Sequence, residues 1–355
     1  MMVAAKRRAT IKDVAREAGL SLGTVSGVLN GDAKFTEPTR RKVWDAANSL
    51  GYRPDPQARN LRAGGERAER RKSGIILHVT HLAGDSPVGC EYESARSTLL
   101  AWEAGKLGLY PLTYWYHKLK GFQCPPVING HVDGAVVGTP HLEVVETLRE
   151  LLPLVLMDVP FSPETADVPM VNTDWRQGLM QLFARLRELG HRRVGTLCAA
   201  DPGEGLFNEL VIFDALLAAA KANGVEIAPE CRPVVNVLPE THERVMAEVA
   251  PHFAAHVKAG DISAVVCPCH SYSDSFLRLF PELGLRVPED VSLAGVHTSF
   301  GVREQPVCAV IHDWPGLVKT SLEVLKNLID GKPSHCREFL VSPGFQQGMT
   351  LGGVA

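Results

Sequence analysis

The sequence predicts an N-terminal all-α helix-turn-helix headpiece followed by an α/β region of two doubly wound parallel-sheet lobes. Three observations predict it. In residues 10–61 apolar positions recur at helical spacing, stop at Gly19 and restart behind helix-capping residues. Beyond residue 72, two successive runs of short apolar segments alternate with longer amphipathic stretches, the pattern of strands joined by crossover helices. Charge is divided along the chain as well. Residues 1–72 hold 16 Lys and Arg against 8 Asp and Glu, a net +8, while the remainder holds 21 against 32, a net -11, within an overall -3. A basic head of this kind suits a polyanion, because each neutralised phosphate releases condensed counterions.

In the head, Thr10 caps a first helix with Asp13 three residues on, and Val14 and Ala18 share one face. Gly19 supplies a turn. Ser21 caps a second helix through Leu29, with Val25, Val28 and Leu29 facing inward and Leu22, Gly23, Ser26 and Gly27 facing outward, towards DNA. A third helix starts at Thr36, Glu37 and Pro38, ends at Gly51, and buries Val43, Ala47 and Leu50. A fourth short segment follows Tyr52.

The glycine-led charged run GGERAERRK (64–72) marks a linker. Strands are expected at 73–80, 110–116, 133–138 and 153–158, then at 192–198, 233–237, 262–267 and 291–296. Helices separate them at 93–107, 142–151, 177–189, 210–223, 243–258 and 273–280. At 355 residues and 45% apolar content the chain has material for two or three domains. No apolar run approaches the roughly 20 residues of a membrane helix, and the basic cluster at residues 6–8 leads into polar sequence, so a cytoplasmic protein is expected. Its eight cysteines then read as reduced thiols. There is no GxSxG elbow joining a strand to a helix, the motifs GxxxxGK[ST], GxGxxG and HExxH are missing, and nothing argues for an enzyme.

TIKDVAREAG followed by SxxTVSxVLN, residues 10–30, resembles the headpiece of the lactose-repressor (LacI/GalR) family of bacterial transcription regulators. YRPDPQARNL, residues 52–61, is similar to the hinge helix of that family. The resemblance implies that the second helix enters the major groove, with Leu22, Gly23 and Gly27 at base-facing places. Thr24, Ser26 and Asn30 would contact phosphates or bases, and Thr10, Ser21 and Arg59 complete the DNA-contacting set. It also implies that Leu61, from each of two chains, wedges into the minor groove and kinks the duplex. The competing reading of Leu61 is a helix-face leucine packed on the headpiece. The hinge segment 55–62 is too short to be a stable helix alone, so it would fold only when paired with its twin on DNA. Glycine at positions 23 and 27 departs from the family, which commonly has arginine at the second. Glycine cannot reach a base edge, so direct readout is expected to be weaker, with Leu22 left to touch a thymine methyl and DNA shape and the hinge carrying more.

GHRRVGTLC (190–198) and LGLRVPEDVSLAGV (283–296) resemble the C-terminal half of the same family's effector domain, of the type I periplasmic-binding-protein fold. The implied division is a headpiece at 9–62, a linker at 63–72 and an effector-binding and dimerisation domain at 73–345. Its first lobe would comprise about 73–172 and 302–332, and its second about 173–301 and 333–345. On this reading residues 309–331 return to the first lobe and a last strand near 339–342 rejoins the second. With no heptad pattern at the C-terminus, the expected assembly is a homodimer on a palindromic double-stranded DNA operator.

Ligands of open α/β sheets bind beyond the carboxyl ends of the strands, here between the lobes. The candidates at such ends are His81, Asp85, Thr139, His141, Asp158, Asp174, His270 and His297. Sugar-sensing members of the family carry Asn-Asp and Asp where this chain has Cys269, His270 and then His297, and an arginine where it has Glu209. A carbohydrate or derivative stays a candidate effector, but a simple monosaccharide fits poorly, and the histidines suit an anionic ligand or pH-sensitive donation. They read equally well as ordinary loop residues. Trp175 is either a stacking wall of the cleft or a packed core residue. The run Cys267, Pro268, Cys269, His270 has a shorter spacer than zinc sites usually use, and no metal or cofactor is expected. The reading is a ligand-responsive repressor without catalytic residues. The alternatives are a solute-binding protein or sugar-processing enzyme, and a DNA-binding regulator controlled by a protein partner.

Overall fold

A computed structural model of the protein describes residues 9–29, 32, 34–50, 52, 72–81, 91–117, 121–128, 130–139, 141–199, 207–235, 241–297 and 307–354, without the side chains of 91, 92, 125, 128, 199, 207–210 and 297. The chain divides into two compact units, Met1–Lys72 and Ser73–Ala355. No helix among the described residues is long and apolar enough to cross a membrane.

The first unit is built on α1 (Ile11–Ala18), α2 (Leu22–Leu29) and α3 (Glu37–Ser49). The Asp13 carboxylate accepts the Thr10 amide at 2.8 Å, which fixes the start of α1. Gly19 ends it at φ 59°, donating its amide to the Ala15 and Arg16 carbonyls. Ser21 Oγ accepts the Thr24 amide at 3.1 Å ahead of α2. The core consists of Val14, Ala18, Val25, Val28, Val43, Ala46 and Ala47, with Leu29, Phe35 and Leu50 packed partly against it. Each valine buried there stabilises by about 1.5–3 kcal/mol. The expected hinge and most of the linker, including Arg59 and Leu61, lie outside the described residues, as does Asn30.

The second unit contains two six-stranded sheets. The first has β1 (Ile75–His81), β2 (Tyr110–Tyr116), β3 (Gly134–Gly138), β4 (Leu154–Met157), β5 (Met170–Thr173) and β13 (Glu338–Val341). They lie in the order β2-β1-β3-β4-β5-β13, every pair parallel. Helices α4 (Glu91–Lys106), α5 (Pro125–Ile128), α6 (Leu142–Arg149) and α11 (Trp314–Ile329) cover its two faces. The strand pleat explains why near-continuous apolar runs are needed. Leu77, Val79, Ala135 and Val137 enter one core, and Ile76 and Val136 enter the other.

The second sheet orders β8 (Glu226–Ile227), β6 (Arg193–Thr196), β10 (Ala264–Cys267), β11 (Ser292–His297), β12 (Cys308–Ile311) and β14 (Gly344–Gln346), parallel except between β12 and β14. Its faces are covered by α7 (Trp175–Glu188), α8 (Phe207–Ala222), α9 (His242–Ala259) and α10 (His270–Glu282). A separate ribbon pairs β7 (Cys198–Ala199) with β9 (Val234–Val235). The expected strand at 192–198 therefore breaks after Thr196, and the one expected at 233–237 leaves the main sheet for this ribbon.

The expected lobe boundaries need two corrections. The strand near 339–342 does not join the second lobe, because β13 pairs with β5 in the first sheet, and only β14 returns. Within 302–332, residues 308–311 belong to the second sheet through β11, and only α11 packs on the first. The chain thus crosses between lobes at β5 to α7, at β12 to α11 and at β13 to β14. These junctions are tied together: Asp174 donates its amide to Val341 O at 2.9 Å. Both crossover helices open alike, Asp174 capping α7 ahead of Trp175 and Asp313 capping α11 ahead of Trp314. Gly178 lies so close to Val310 and Pro343 that a Cβ there would fall 2.4 Å from Val310 Cγ1, so α7, the helix of the first crossover, packs directly on the other two.

Candidate functional site

In the first unit, the face of α2 opposite its core carries Leu22, 41% exposed, and the exposed Gly23. Thr24 and Ser26 are half-buried beside it. Ser21 and Thr24 hydroxyls are 2.9 Å apart at the start of the helix, and Thr10 lies at the start of α1. Gly27 is where the outward assignment needs correction. The Phe35 ring lies against it, and a Cβ at Gly27 would fall 2.4 Å from Phe35 Cε2. The turn that presents this ring is clamped by Arg40, which donates to the Phe35 carbonyl at 3.0 Å and the Asp32 carbonyl at 3.1 Å. Lys34 Nζ stands 5.1 Å from the ring centroid. Glycine at 27 is thus a packing residue, making room for a large aromatic that closes the headpiece core.

That packing makes a prediction. Gly27→Arg forces Phe35 off the core and lowers headpiece stability by about 1–3 kcal/mol. Adding Phe35→Val restores the stability and provides a side chain able to grip guanine. Thermal denaturation followed by binding to duplexes differing at one base pair checks both steps; an unperturbed single variant would show that the ring swings away at no cost.

In the second unit, the carboxyl ends of β5, β12 and β13 meet at the crossovers, so the carboxyl edges of the two sheets face a common junction. On the first-lobe side, His81 ends β1 and His141 precedes α6, their rings 5.3 Å apart. Tyr116, ending β2, lies 4.8 Å from His141. Its hydroxyl donates to Glu143 Oε2 at 3.0 Å, and burial together with that carboxylate pushes the phenol up to about 12. Beneath this rim Arg96, 2% exposed, donates to Thr80 Oγ1 at 2.8 Å and the Gly138 carbonyl at 3.1 Å, and pairs with Glu93. Burial raises the Glu93 carboxyl above its usual range despite that pairing. Thr139 is fully buried at the end of β3.

Asp158 sits at the end of β4 with φ 56°, and its Oδ2 is 3.9 Å from His312 Nε2. Positive φ is uncommon for a residue with a side chain, and such strain gathers at functional sites. His312, which no sequence motif marks out, links Thr173, Asp158, Trp175 and Trp314. Its Nδ1 is 2.7 Å from Thr173 Oγ1, and its ring packs on Trp175 and Trp314, each 4.3 Å away between centroids. Burial lowers its pKa to about 4, the nearby Asp158 opposing and Arg96 assisting, so the ring is neutral near pH 7. Trp175 is 4% exposed, a junction core residue packed on His312. The sole sequence signal for His312 was its place just after a strand.

On the second-lobe side, His270 begins α10 at the carboxyl end of β10, half-exposed. Cys269 Sγ lies 3.9 Å from its Nδ1 and 3.2 Å from Ser271 Oγ. Cys267 is fully buried, and burial raises its thiol well above the usual range. Close by, His242 Nε2 lies 2.9 Å from Ser275 Oγ and its ring stacks on Tyr272. Asp85 and the side chains of Glu209 and His297 fall outside the described residues; the backbone of His297 ends β11 beside Ile311. The structure therefore joins His81 to His141, and Asp158 to Trp175 through His312, with His270 across the junction on the other lobe.

Residues 10–55 match the model of bacterial regulatory proteins, lacI family, and residues 183–350 match the periplasmic binding protein-like domain. The chain is 26% identical, over 97% of its length and 98% of the relative's, to the HTH-type transcriptional repressor PurR of Vibrio atlanticus (strain LGP32). It superimposes on the lac repressor dimer bound to operator and the anti-inducer ONPF with a TM-score of 0.70, at 18% identity, covering 97% of this chain and 99% of that one. It superimposes on a transcriptional regulator CelR–cellobiose complex with a TM-score of 0.63, at 20% identity, covering 97% and 100%.

Proposed function

We propose that this chain, which belongs to the LacI family of bacterial regulatory proteins, is a cytoplasmic homodimeric repressor of a palindromic operator, controlled by a small molecule bound between its lobes. It is a DNA-binding transcription regulator and not an enzyme, like its relatives. The observation that carries the finer reading is the union, in one chain, of a separate trihelical unit exposing one face of α2 with a two-lobed domain whose strand ends converge on three crossovers.

On this reading the ligand prefers one arrangement of the lobes, and that preference sets the stability of the paired hinge segments on DNA. His81, His141 and Asp158 offer polar groups from one lobe and His270 from the other, with Trp175 and His312 as the wall behind them. Asp85, Glu209 and His297 are assigned to the same site by their chain positions. Carbohydrates are the first ligands to try, since a similar solved regulator is a complex with cellobiose. A role for Leu22, Thr24, Ser26, Asn30 and Arg59 on DNA, and for Leu61 as the minor-groove wedge, completes the proposal.

The test is a mobility-shift titration on palindromic duplexes selected from a random pool. Full-length protein binds with salt-dependent affinity, Leu61→Ala binds about tenfold more weakly at unchanged thermal stability, and a carbohydrate library contains a compound that moves the curve for the parent but not for Asp158→Asn. Absence of any selected duplex would overturn the regulator reading. A shift that no small molecule moves, but that a protein fraction does, would favour control by a partner instead.

A further inference from the structure

We propose that Cys231, His252 and His256 form a transition-metal site on the second lobe, distinct from the ligand cleft and suited to zinc. One sulfur and two imidazole nitrogens lie within 4.8 Å of one another. The two histidines are four residues apart on α9, one turn of the same face, with ring centroids 4.7 Å apart. Cys231 closes the short turn Pro229–Cys231 packed against that helix.

The surrounding hydrogen bonds prepare both rings. His252 Nε2 is 2.7 Å from the Glu230 carbonyl oxygen. A carbonyl only accepts, so Nε2 carries the proton and Nδ1 keeps its lone pair for a metal. His256 Nδ1 is 2.7 Å from Asp261 Oδ2, so Nδ1 keeps its proton and donates it to the carboxylate, and Nε2 is left to coordinate. Carbonyl and carboxylate partners of this kind stand behind metal-bound imidazoles, fixing the tautomer and the ring angle. Asp261 is itself held, since Arg193 donates to its backbone carbonyl at 3.0 Å.

A thiolate with two imidazoles selects zinc or a neighbouring late transition metal over magnesium or calcium, which prefer oxygen. Bonds of about 2.0–2.3 Å in a tetrahedral array place ligand atoms roughly 3.3–3.8 Å apart. Cys231 is fully buried and His252 exposed, so a small shift of the outer ring that keeps its bond to the Glu230 carbonyl draws the set together, the metal displaces the thiol proton to solvent, and water takes the fourth position. The site is remote from the junction. Helix α9 begins at His242, beside Ser275, and His256 lies about 21 Å further along its axis at 1.5 Å per residue. A metal there ties the turn after β8 to α9 and acts as a clamp on the lobe.

Tag-free, metal-stripped full-length protein titrated with Co2+ provides the test. One equivalent per chain is expected to give a thiolate-to-cobalt charge-transfer band with four-coordinate d–d bands, displaced by Zn2+. His252→Ala and His256→Ala are expected to weaken binding at least tenfold, and Cys231→Ser to abolish the charge-transfer band. Because His252 is exposed, its variant separates loss of ligand from loss of fold, and Zn2+ is expected to raise the Tm of the parent but not of this variant. The proposal is overturned by a missing charge-transfer band, by a band that survives both histidine variants, by one that Cys269→Ser removes, or by binding that requires two chains per ion.

Discussion

Lowering the pH from 6.5 to 4 is expected to cost the two-lobed domain roughly 5 kcal/mol of unfolding free energy, most of it through His78 and His312. Both are wholly buried, and burial, with Arg96 nearby, holds His78 down at about 3 and His312 at about 4. A histidine whose pKa is depressed by folding binds its proton more tightly when unfolded. Stability is therefore independent of these groups above pH 6.5 and falls as pH drops through the window between the unfolded and folded values, by up to about 1.4 kcal/mol per pH unit for each. His191, lowered by burial, pulls the same way. Glu93 opposes them above about pH 4.5, because burial raises its carboxyl, but it is one group against three. Asp290, held at about 2 by Arg286, loses its contribution only at lower pH. Both ring nitrogens of His78 are buried without a hydrogen-bond partner, so His78→Phe removes the titration without breaking a bond. Urea unfolding at several pH values should show this variant losing about half the slope; an unchanged slope would assign the acid sensitivity elsewhere.

The parts of this molecule legible in the sequence are those set by local pattern. GAVVG and AVVC are short apolar runs with both faces covered, and they lie where expected, at β3 and β10. The headpiece caps at Thr10 and Ser21 depend on residues three apart and are equally local. The misplaced strand has a non-local cause. MVNT, β5, is only four residues long and half polar, so no strand was expected there, and β13 was then left without the neighbour that claims it for the first sheet. His312 is not legible in the sequence for the same reason, since its meaning comes from Thr173 and Asp158, both more than a hundred residues away in the chain. Glycine at 27 could be seen as a missing side chain, but not that Phe35 fills the space. The His252 and His256 spacing was in plain view, and only the fold brings Cys231 to it.

Arg96→Met is expected to destabilise the same domain by about 3–5 kcal/mol, the cost of leaving a buried charge without its partner. Its guanidinium reaches Glu93, Thr80 and the Gly138 carbonyl at once, and the strand end has given way to receive it: a Cβ at Gly138 would fall 2.6 Å from Arg96 Nη2. Removing the cation leaves the Glu93 carboxylate buried, so its pKa rises further. The sign follows: the variant is most impaired near neutral pH and recovers part of its stability as pH falls and Glu93 takes up a proton. The double variant Arg96→Met, Glu93→Met should regain most of the loss, since two apolar chains of similar volume replace both charges. Arg96→Lys should not, because an ammonium cannot span three acceptors in one plane. Denaturant midpoints of the four proteins at pH 7 and pH 5 decide it. If Arg96→Met and the double variant are equally stable at pH 7, Glu93 takes up a proton once the cation is gone, and the loss then comes chiefly from the bonds by which Arg96 holds the ends of β1 and β3 beneath the His81 and Tyr116 rim.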